Sequence, residues 1–199
     1  SNATTVLFET DIGTMMKPES QLKLTTRAQL PEGQTLKDVL TEATYASLSR
    51  HIKDSGMPEA MISRFKPGFV VMMLTMIELQ KEGFDPASGM DLYFYKRTKQ
   101  EGKTVRGLEA VDFQVDLICN LSNAEGEALM KSTLADLKEA KSKFGELLKA
   151  WQTGDDAGIE KLLNQAQKED PAIMRKFLTD RNLAWAPQIE KLAQGTNNA

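Results

Sequence analysis

The chain has 199 residues and a net charge of -3, with 41% apolar and 27% charged side chains. This length is enough for one domain with a buried apolar core. Because the charges are dispersed and nearly balanced, there is no electrostatic basis for binding nucleic acid. No apolar run has the length of a membrane-spanning helix, so we expect no transmembrane segment. The single cysteine, Cys119, excludes an internal disulfide.

The two ends of the chain contribute little to the predicted fold. Residues Ser1–Ala3 resemble the remnant of an expression tag, and we exclude them. Residues 195–199 are small and polar, which is typical of a frayed tail. Between them we predict one domain over residues 4–199, with a strand-helices-strand half at 4–110 and a helical half at 111–195.

Two short β-prone segments each end in a glutamate. They are Thr4–Glu9, which is apolar over most of its length, and Lys103–Glu109. Roughly ninety residues of mostly helical sequence separate them, and a long crossover of this kind is typical of strands that pair in parallel. The carboxyl ends of parallel strands meet at one edge of a sheet. We therefore expect Glu9 and Glu109 to share the edge at which α/β sheets usually place their ligands.

Most of the remaining chain has helical periodicity. Phe69–Lys81 is strongly apolar, which predicts a central buried helix. Ser122 followed by Glu125 is a capping-box signature at the start of a long helix, and the tight connection at Thr153–Asp155 predicts an αα-hairpin. Gln21–Thr25 is a candidate third strand. We predict an α/β fold that is predominantly helical, with about eight helices and a small incomplete parallel sheet of two or three short strands.

Several short motifs follow one another along the chain. They are Val6–Glu9, Pro31–Leu36, Phe65–Pro67, Gly89–Phe94, Gly102–Glu109, Gln114, Asp180–Asn182 and Trp185–Pro187. Their order and spacing resemble the TraB/GumN family, a group that includes the Tiki-type proteases, over almost the whole chain. The sequence departs from the family pattern at Gly68, where the family tends to have an aromatic residue, and at Ala110 and Phe113, where it tends to have Thr and Glu.

The resemblance implies a metal-dependent hydrolase-like core. In the family, two Gly-x-x-His motifs flank the region seen here, whereas His51 is the only histidine of this chain and matches neither motif. The resemblance therefore implies the middle region of a family member, inactive in this form. It implies a divalent metal only in the complete protein and none in this chain, and the metal ligands stay unknown.

Three residues are the candidate catalytic residues. Glu9 could act as a metal ligand or as a general base on a bound water, and the alternative is a strand-end salt bridge. Glu109 is the second candidate, and the alternative is capping of the following helix, where an anion is favoured. Arg181 could clamp a carboxylate or stabilise a developing oxyanion, or it could brace the last helix against an acidic strand end. We expect these three side chains to converge if the site is catalytic.

Two classes of function remain open at this point. The first is a metal-dependent hydrolase of the peptidase type, acting on a peptide or small-molecule substrate that the sequence does not name. The second is a non-enzymatic helical module for interaction or regulation in export or signalling. The resemblance also implies an exported protein of the periplasm or cell envelope, and the exposed edge of an incomplete sheet predicts a homodimer.

Overall fold

The fold was analysed in a computed structural model that describes residues 3–169 and 171–194. Ser1 and Asn2 of the predicted tag remnant, and the predicted tail at 195–199, lie outside the described residues. The described chain contains two strands, β1 (Thr5–Thr10) and β2 (Thr104–Glu109). It also contains eleven α-helices: α1 (Ile12–Met15), α2 (Pro18–Arg27), α3 (Leu36–Val39), α4 (Glu42–Asp54), α5 (Pro67–Lys81), α6 (Met90–Gln100), α7 (Val111–Cys119), α8 (Asn123–Thr153), α9 (Asp156–Glu169), α10 (Pro171–Met174) and α11 (Asp180–Ala193).

The two strands form the predicted parallel sheet. Thr5 lies opposite Thr104, and Thr10 lies opposite Glu109. Gly107 of β2 allows the strands to come close, because a Cβ atom at this position would lie 2.7 Å from the backbone nitrogen of Asp11. Within the described residues each strand has one partner, so the second edge of each is unpaired there. The homodimer through such an edge stays a prediction.

The prediction of a third strand at Gln21–Thr25 was wrong. This segment lies inside α2, which begins at Pro18, a residue favoured in the first turn of a helix. Glu19 in the first turn and Arg27 in the last turn both complement the helix dipole. The mostly helical fold with a small parallel sheet is confirmed. The count of eleven helices exceeds the predicted count of about eight, in part because α2 takes the place of the predicted strand. Helices α1, α3 and α10 have only four residues each.

The chain divides into two compact units. The sheet unit comprises Ser1–Arg27, Phe84–Leu117 and Lys176–Ala199, and the helical unit comprises Ala28–Gly83 and Ile118–Arg175. The prediction of a single domain is not tested by this division and stays a prediction.

The helical unit contains an apolar core. Its fully buried members include Leu48 of α4, Leu74 of α5 and Met130 of α8, each at most 1% exposed. Helix α8 packs against α5 and α9, and Gly154 ends α8 in the left-handed conformation that closes the predicted αα-hairpin. None of the helices described is long and apolar enough to cross a membrane.

Candidate functional site

Glu109 is the more buried of the two strand-end glutamates. It is the last residue of β2, and its side chain is 8% exposed. Its Oε1 accepts a hydrogen bond from Arg181 Nε at 2.9 Å, and its Oε2 accepts one from Arg181 Nη2, also at 2.9 Å. This two-pronged pairing is the strong geometry of an arginine with a carboxylate. The carboxylate of Glu109 is thus bound to a side chain of α11, and capping of α7 by Glu109 stays a prediction.

Glu9 reaches the same guanidinium from the neighbouring strand. Its Oε2 accepts a hydrogen bond from Arg181 Nη2 at 2.7 Å, and its side chain is 55% exposed. Its other oxygen, Oε1, accepts no hydrogen bond from any residue that the structure describes. The parallel register places both strand ends at one edge of the sheet, as the sequence predicted.

Arg181 lies in the first turn of α11 and is 12% exposed. Its Nη1 donates to the carbonyl oxygen of Phe177 at 3.0 Å, which belongs to a π-helical turn, Arg175–Thr179, directly before α11. The hydrogen bonds to Glu109 raise the pKa of Arg181 above its ordinary value; burial acts in the opposite direction, and Glu9 adds to the rise. The guanidinium is therefore a permanent positive charge between two carboxylates.

Two further side chains complete this cluster, and neither was among the predicted site residues. Trp185 Nε1 donates to Glu109 Oε1 at 2.9 Å, and Gln114 Nε2 lies 3.4 Å from an oxygen of each glutamate. Both belong to segments that carry the family resemblance, and Trp185 follows Arg181 by four residues on one helix face. That spacing is the signal by which the sequence could have indicated Trp185. We call Glu9, Glu109, Arg181, Gln114 and Trp185 the carboxylate clamp.

The two carboxylates of the clamp differ in how many of their oxygens accept hydrogen bonds. Both oxygens of Glu109 accept hydrogen bonds from protein donors, which leaves this group no free oxygen to take a proton from water. In Glu9 only Oε2 accepts hydrogen bonds from the described residues, and the side chain is 55% exposed. An exposed, oriented carboxylate oxygen is the type of group that can act as a general base.

A cavity of about 570 Å³ opens near the carboxyl end of the sheet. Its polar lining residues include Asp11, Glu19, Lys23, Asp112 and Glu109. Asp11 caps α1 by accepting from the backbone nitrogen of Gly13 at 2.9 Å, as expected for a turn residue. Neither Glu9 nor Arg181 lines this cavity, so it is not the space in front of the free oxygen of Glu9.

The described residues do not fit the metal site that the family resemblance implies. Across residues 3–169 and 171–194, no three His, Cys, Asp or Glu side chains lie where they could hold one metal ion. In the clamp, the two converging carboxylates surround a guanidinium. His51 belongs to the helical unit, where its Nε2 lies 3.7 Å from Glu78 Oε1.

The comparison with family models agrees with the motifs of the sequence. The model of the TraB/PrgY/gumN family matches residues 1–199. No protein of curated function and no solved structure gives a significant match.

Proposed function

Because this chain belongs to the TraB/PrgY/gumN family, we propose that it supplies the acidic part of a peptidase-type hydrolase site. In this proposal Glu9 is the reacting carboxylate, and Glu109 and Arg181 hold it in place. The observation that carries the proposal is the inequality of the two glutamates. Glu109 is 8% exposed with both oxygens occupied, whereas Glu9 is 55% exposed with one oxygen free of partners among the described residues.

The chemistry assigned to Glu9 is general base catalysis. Oε1 takes a proton from a water molecule while the water oxygen forms a bond to the carbonyl carbon of the substrate. The same proton is then delivered to the leaving nitrogen as the carbon–nitrogen bond breaks, which returns the carboxylate to its starting form. Arg181 keeps Oε2 fixed throughout, so that Oε1 does not rotate away from the water.

The only charged oxygen groups of the clamp are the two carboxylates that Arg181 pairs, and the steps assigned to Glu9 use a water molecule and no metal. The resemblance implies that a divalent metal belongs to the complete protein and is held by flanking histidine motifs. We accordingly expect the purified 199-residue chain to be inert toward peptides. Turnover by this chain that a chelator abolishes would overturn that expectation.

The test is a substitution of Glu9 in the longest natural form of the protein. Glu9→Gln keeps the shape of the side chain and removes the base, and we expect kcat for peptide hydrolysis to fall by about 10² or more. Glu160→Gln is the matched control, because Glu160 is an exposed glutamate of α9 in the helical unit. Full activity of the Glu9→Gln protein would show that Glu9 is not the base.

A separate observation favours the non-enzymatic alternative. Helix α8 exposes Leu147, Leu148 and Trp151 at 42%, 38% and 63%, within little more than one helical turn. Exposed apolar side chains that lie close together are typical of a surface that binds another protein. If the protein acts by binding a partner protein through this surface, Trp151→Glu abolishes the cellular function of the protein and Glu9→Gln does not. The reverse result favours the hydrolase.

A further inference from the structure

Trp185 contacts both members of the buried ion pair of the clamp. Its ring centroid lies 4.7 Å from Cζ of Arg181, which is the distance of a cation–π contact. Its Nε1 donates to Glu109 Oε1 at 2.9 Å. This is the same oxygen that accepts from Arg181 Nε. The indole of Trp185 therefore contacts both the guanidinium of Arg181 and the Oε1 atom of Glu109.

The remaining sides of the guanidinium are also occupied. Nη1 donates to the carbonyl oxygen of Phe177, and Nη2 is shared by Glu109 and Glu9. With its edges held by hydrogen bonds and its Cζ in cation–π contact with the indole, Arg181 has a single orientation. That orientation directs Nη2 at Glu9 Oε2. No hydrogen bond or ring contact described in the structure joins Trp185 to Glu9 itself.

We infer that Trp185 is a positioning residue, which orients Glu9 through Arg181. The geometric part of this inference stands on the contacts alone, and its catalytic part rests on the proposed role of Glu9 as base. The indole offers two separable contributions, because the ring provides the stacking and the N–H provides the hydrogen bond. Phenylalanine at this position keeps an aromatic ring and loses the N–H, whereas leucine loses both.

The first experiment measures the orientation of Arg181 in the purified chain. The Nε–H proton of Arg181 is followed by nuclear magnetic resonance, with the signal assigned by its loss in Arg181→Lys. We expect its exchange with water to become about fivefold faster in Trp185→Phe, in proportion to one lost hydrogen bond, and faster still in Trp185→Leu. Trp151→Phe is the matched control, because the chain has only two tryptophans and Trp151 is 63% exposed.

This measurement decides the geometric part. An exchange rate for Arg181 in Trp185→Leu equal to that of the unchanged protein would overturn the inference. If Trp185→Leu does not fold, the geometry is tested in proteins that keep Trp185, by following the signal of its indole N–H. We expect the Trp185 signal to move in Glu109→Gln and the Trp151 signal to stay in place, and an unmoved Trp185 signal overturns the inference as well.

The second experiment separates this inference from the proposed function. In the longest natural form of the protein, we expect Trp185→Phe to lower kcat by about tenfold with KM unchanged, because a misplaced base slows the chemical step and not binding. Full activity of Glu9→Gln means that the proposed function has failed, and the exchange rates then decide about Trp185 alone. If Glu9→Gln is inactive while Trp185→Phe changes neither kcat nor the exchange rate, the positioning role is wrong and the function stands.

Discussion

The helical unit and the sheet unit are stabilised by different means. In the helical unit, ten buried apolar residues between Leu36 and Leu134 form one contiguous core. In the sheet unit, the buried apolar side chains among the described residues are Ala3, Phe8, Val115 and Leu117. The most extensive network of hydrogen bonds described there is the carboxylate clamp. Burial of apolar surface is the larger source of stability in most domains, so a unit with little of it depends more on its polar contacts.

Each unit also contains glutamates whose carboxylates accept hydrogen bonds from residues distant in the sequence. The number of carboxylate oxygens that are occupied differs between them. In the helical unit, Glu127 of α8 accepts from Thr41 Oγ1 at 2.7 Å, from the backbone nitrogen of Thr41 at 3.0 Å and from the hydroxyl of Thr44. Both of its oxygens are used, as both oxygens of Glu109 are. Glu9 differs from these two because one oxygen is left over. The comparison teaches that a long-range carboxylate contact by itself does not indicate function, and that the oxygen of Glu9 without a described donor is what its proposed role as a base requires.

Among the substitutions proposed here, removal of Arg181 is expected to lower the free energy of unfolding most. Arg181→Met leaves the 8% exposed carboxylate of Glu109 without its cation and beside a second negative charge. We expect a loss of about 3 kcal/mol in the free energy of unfolding, as for a broken buried ion pair. Urea denaturation followed by circular dichroism measures it.

The control for this change is Arg106→Met, which removes an exposed arginine from β2. We expect it to alter the free energy of unfolding by less than about 0.5 kcal/mol. The double variant Arg181→Met with Glu109→Gln should be more stable than Arg181→Met alone, because it also removes the unpaired charge. If Arg181→Met and Arg106→Met cost the same, the clamp does not stabilise the sheet unit.

The packing of the helical unit is tested by a pair of glycines in its helices. A Cβ atom on Gly68 of α5 would lie 2.3 Å from the carbonyl oxygen of Ile118, whereas one on Gly145 of α8 would meet nothing within 4 Å. We expect Gly68→Ala to cost about 1–3 kcal/mol through overpacking. Gly145→Ala should gain about 0.5–1 kcal/mol, because alanine is favoured over glycine inside a helix. Urea denaturation of both variants gives the two signs, and a gain for Gly68→Ala would contradict the close approach at Ile118.

Gly68 shows that the family resemblance does not predict how much space surrounds a side chain. The family tends to have an aromatic residue where Gly68 stands, yet the position in this chain has no room for a single carbon atom. The resemblance gives the order of the motifs, whereas the space at one position depends on which backbone packs against it. Ile118 is fifty residues away in sequence, and no local pattern connects the two.

The parts of the site that could be predicted are those set by local pattern and strand direction. Glu9 and Glu109 followed from the rule that parallel strands end at the same edge, and Arg181 followed from the family motif. Their convergence is a finding of the structure, and their catalytic roles stay predictions. The inequality of the two glutamates was not predictable, because it depends on the side chains that α7 and α11 bring to them. Those partners are separated from β1 by more than a hundred residues.

The wrong strand at Gln21–Thr25 has a local cause. Its two leucines and one threonine fit a strand as well as a helix, and periodicity cannot separate the two over five residues. The start signal at Pro18 and the charges at both ends of α2 favour the helix. Leu22 is 69% exposed, so the segment does not bury the apolar face that a core strand would require.

The last expected effect concerns the stability contribution of Glu127, and its dependence on pH shows how it arises. Burial acts to raise the pKa of Glu127, but the hydrogen bonds from Thr44 and Thr41 outweigh burial and lower that pKa below its ordinary value of 4.5. A carboxylate with a lowered pKa stabilises the folded protein above about pH 4.5, and this contribution is lost as the pH falls through the lower value of the folded state. We expect Glu127→Gln to cost about 1–2 kcal/mol at pH 7.

That cost should shrink as the pH falls below 4.5, because the unchanged protein then loses its own charged hydrogen bonds. The measurement is urea denaturation of both proteins from pH 7 to pH 3, with Glu160→Gln as an exposed control that should show no such trend. A cost that is constant over this range would mean that the shape of the side chain matters and its charge does not. In that case the contact of Glu127 would not depend on its charge. It would differ from the contact of Glu109, whose partner Arg181 is a cation that stays charged over the whole pH range. A cost that shrinks as expected would instead show that the charge of Glu127 stabilises the helical unit through its hydrogen bonds with Thr41 and Thr44.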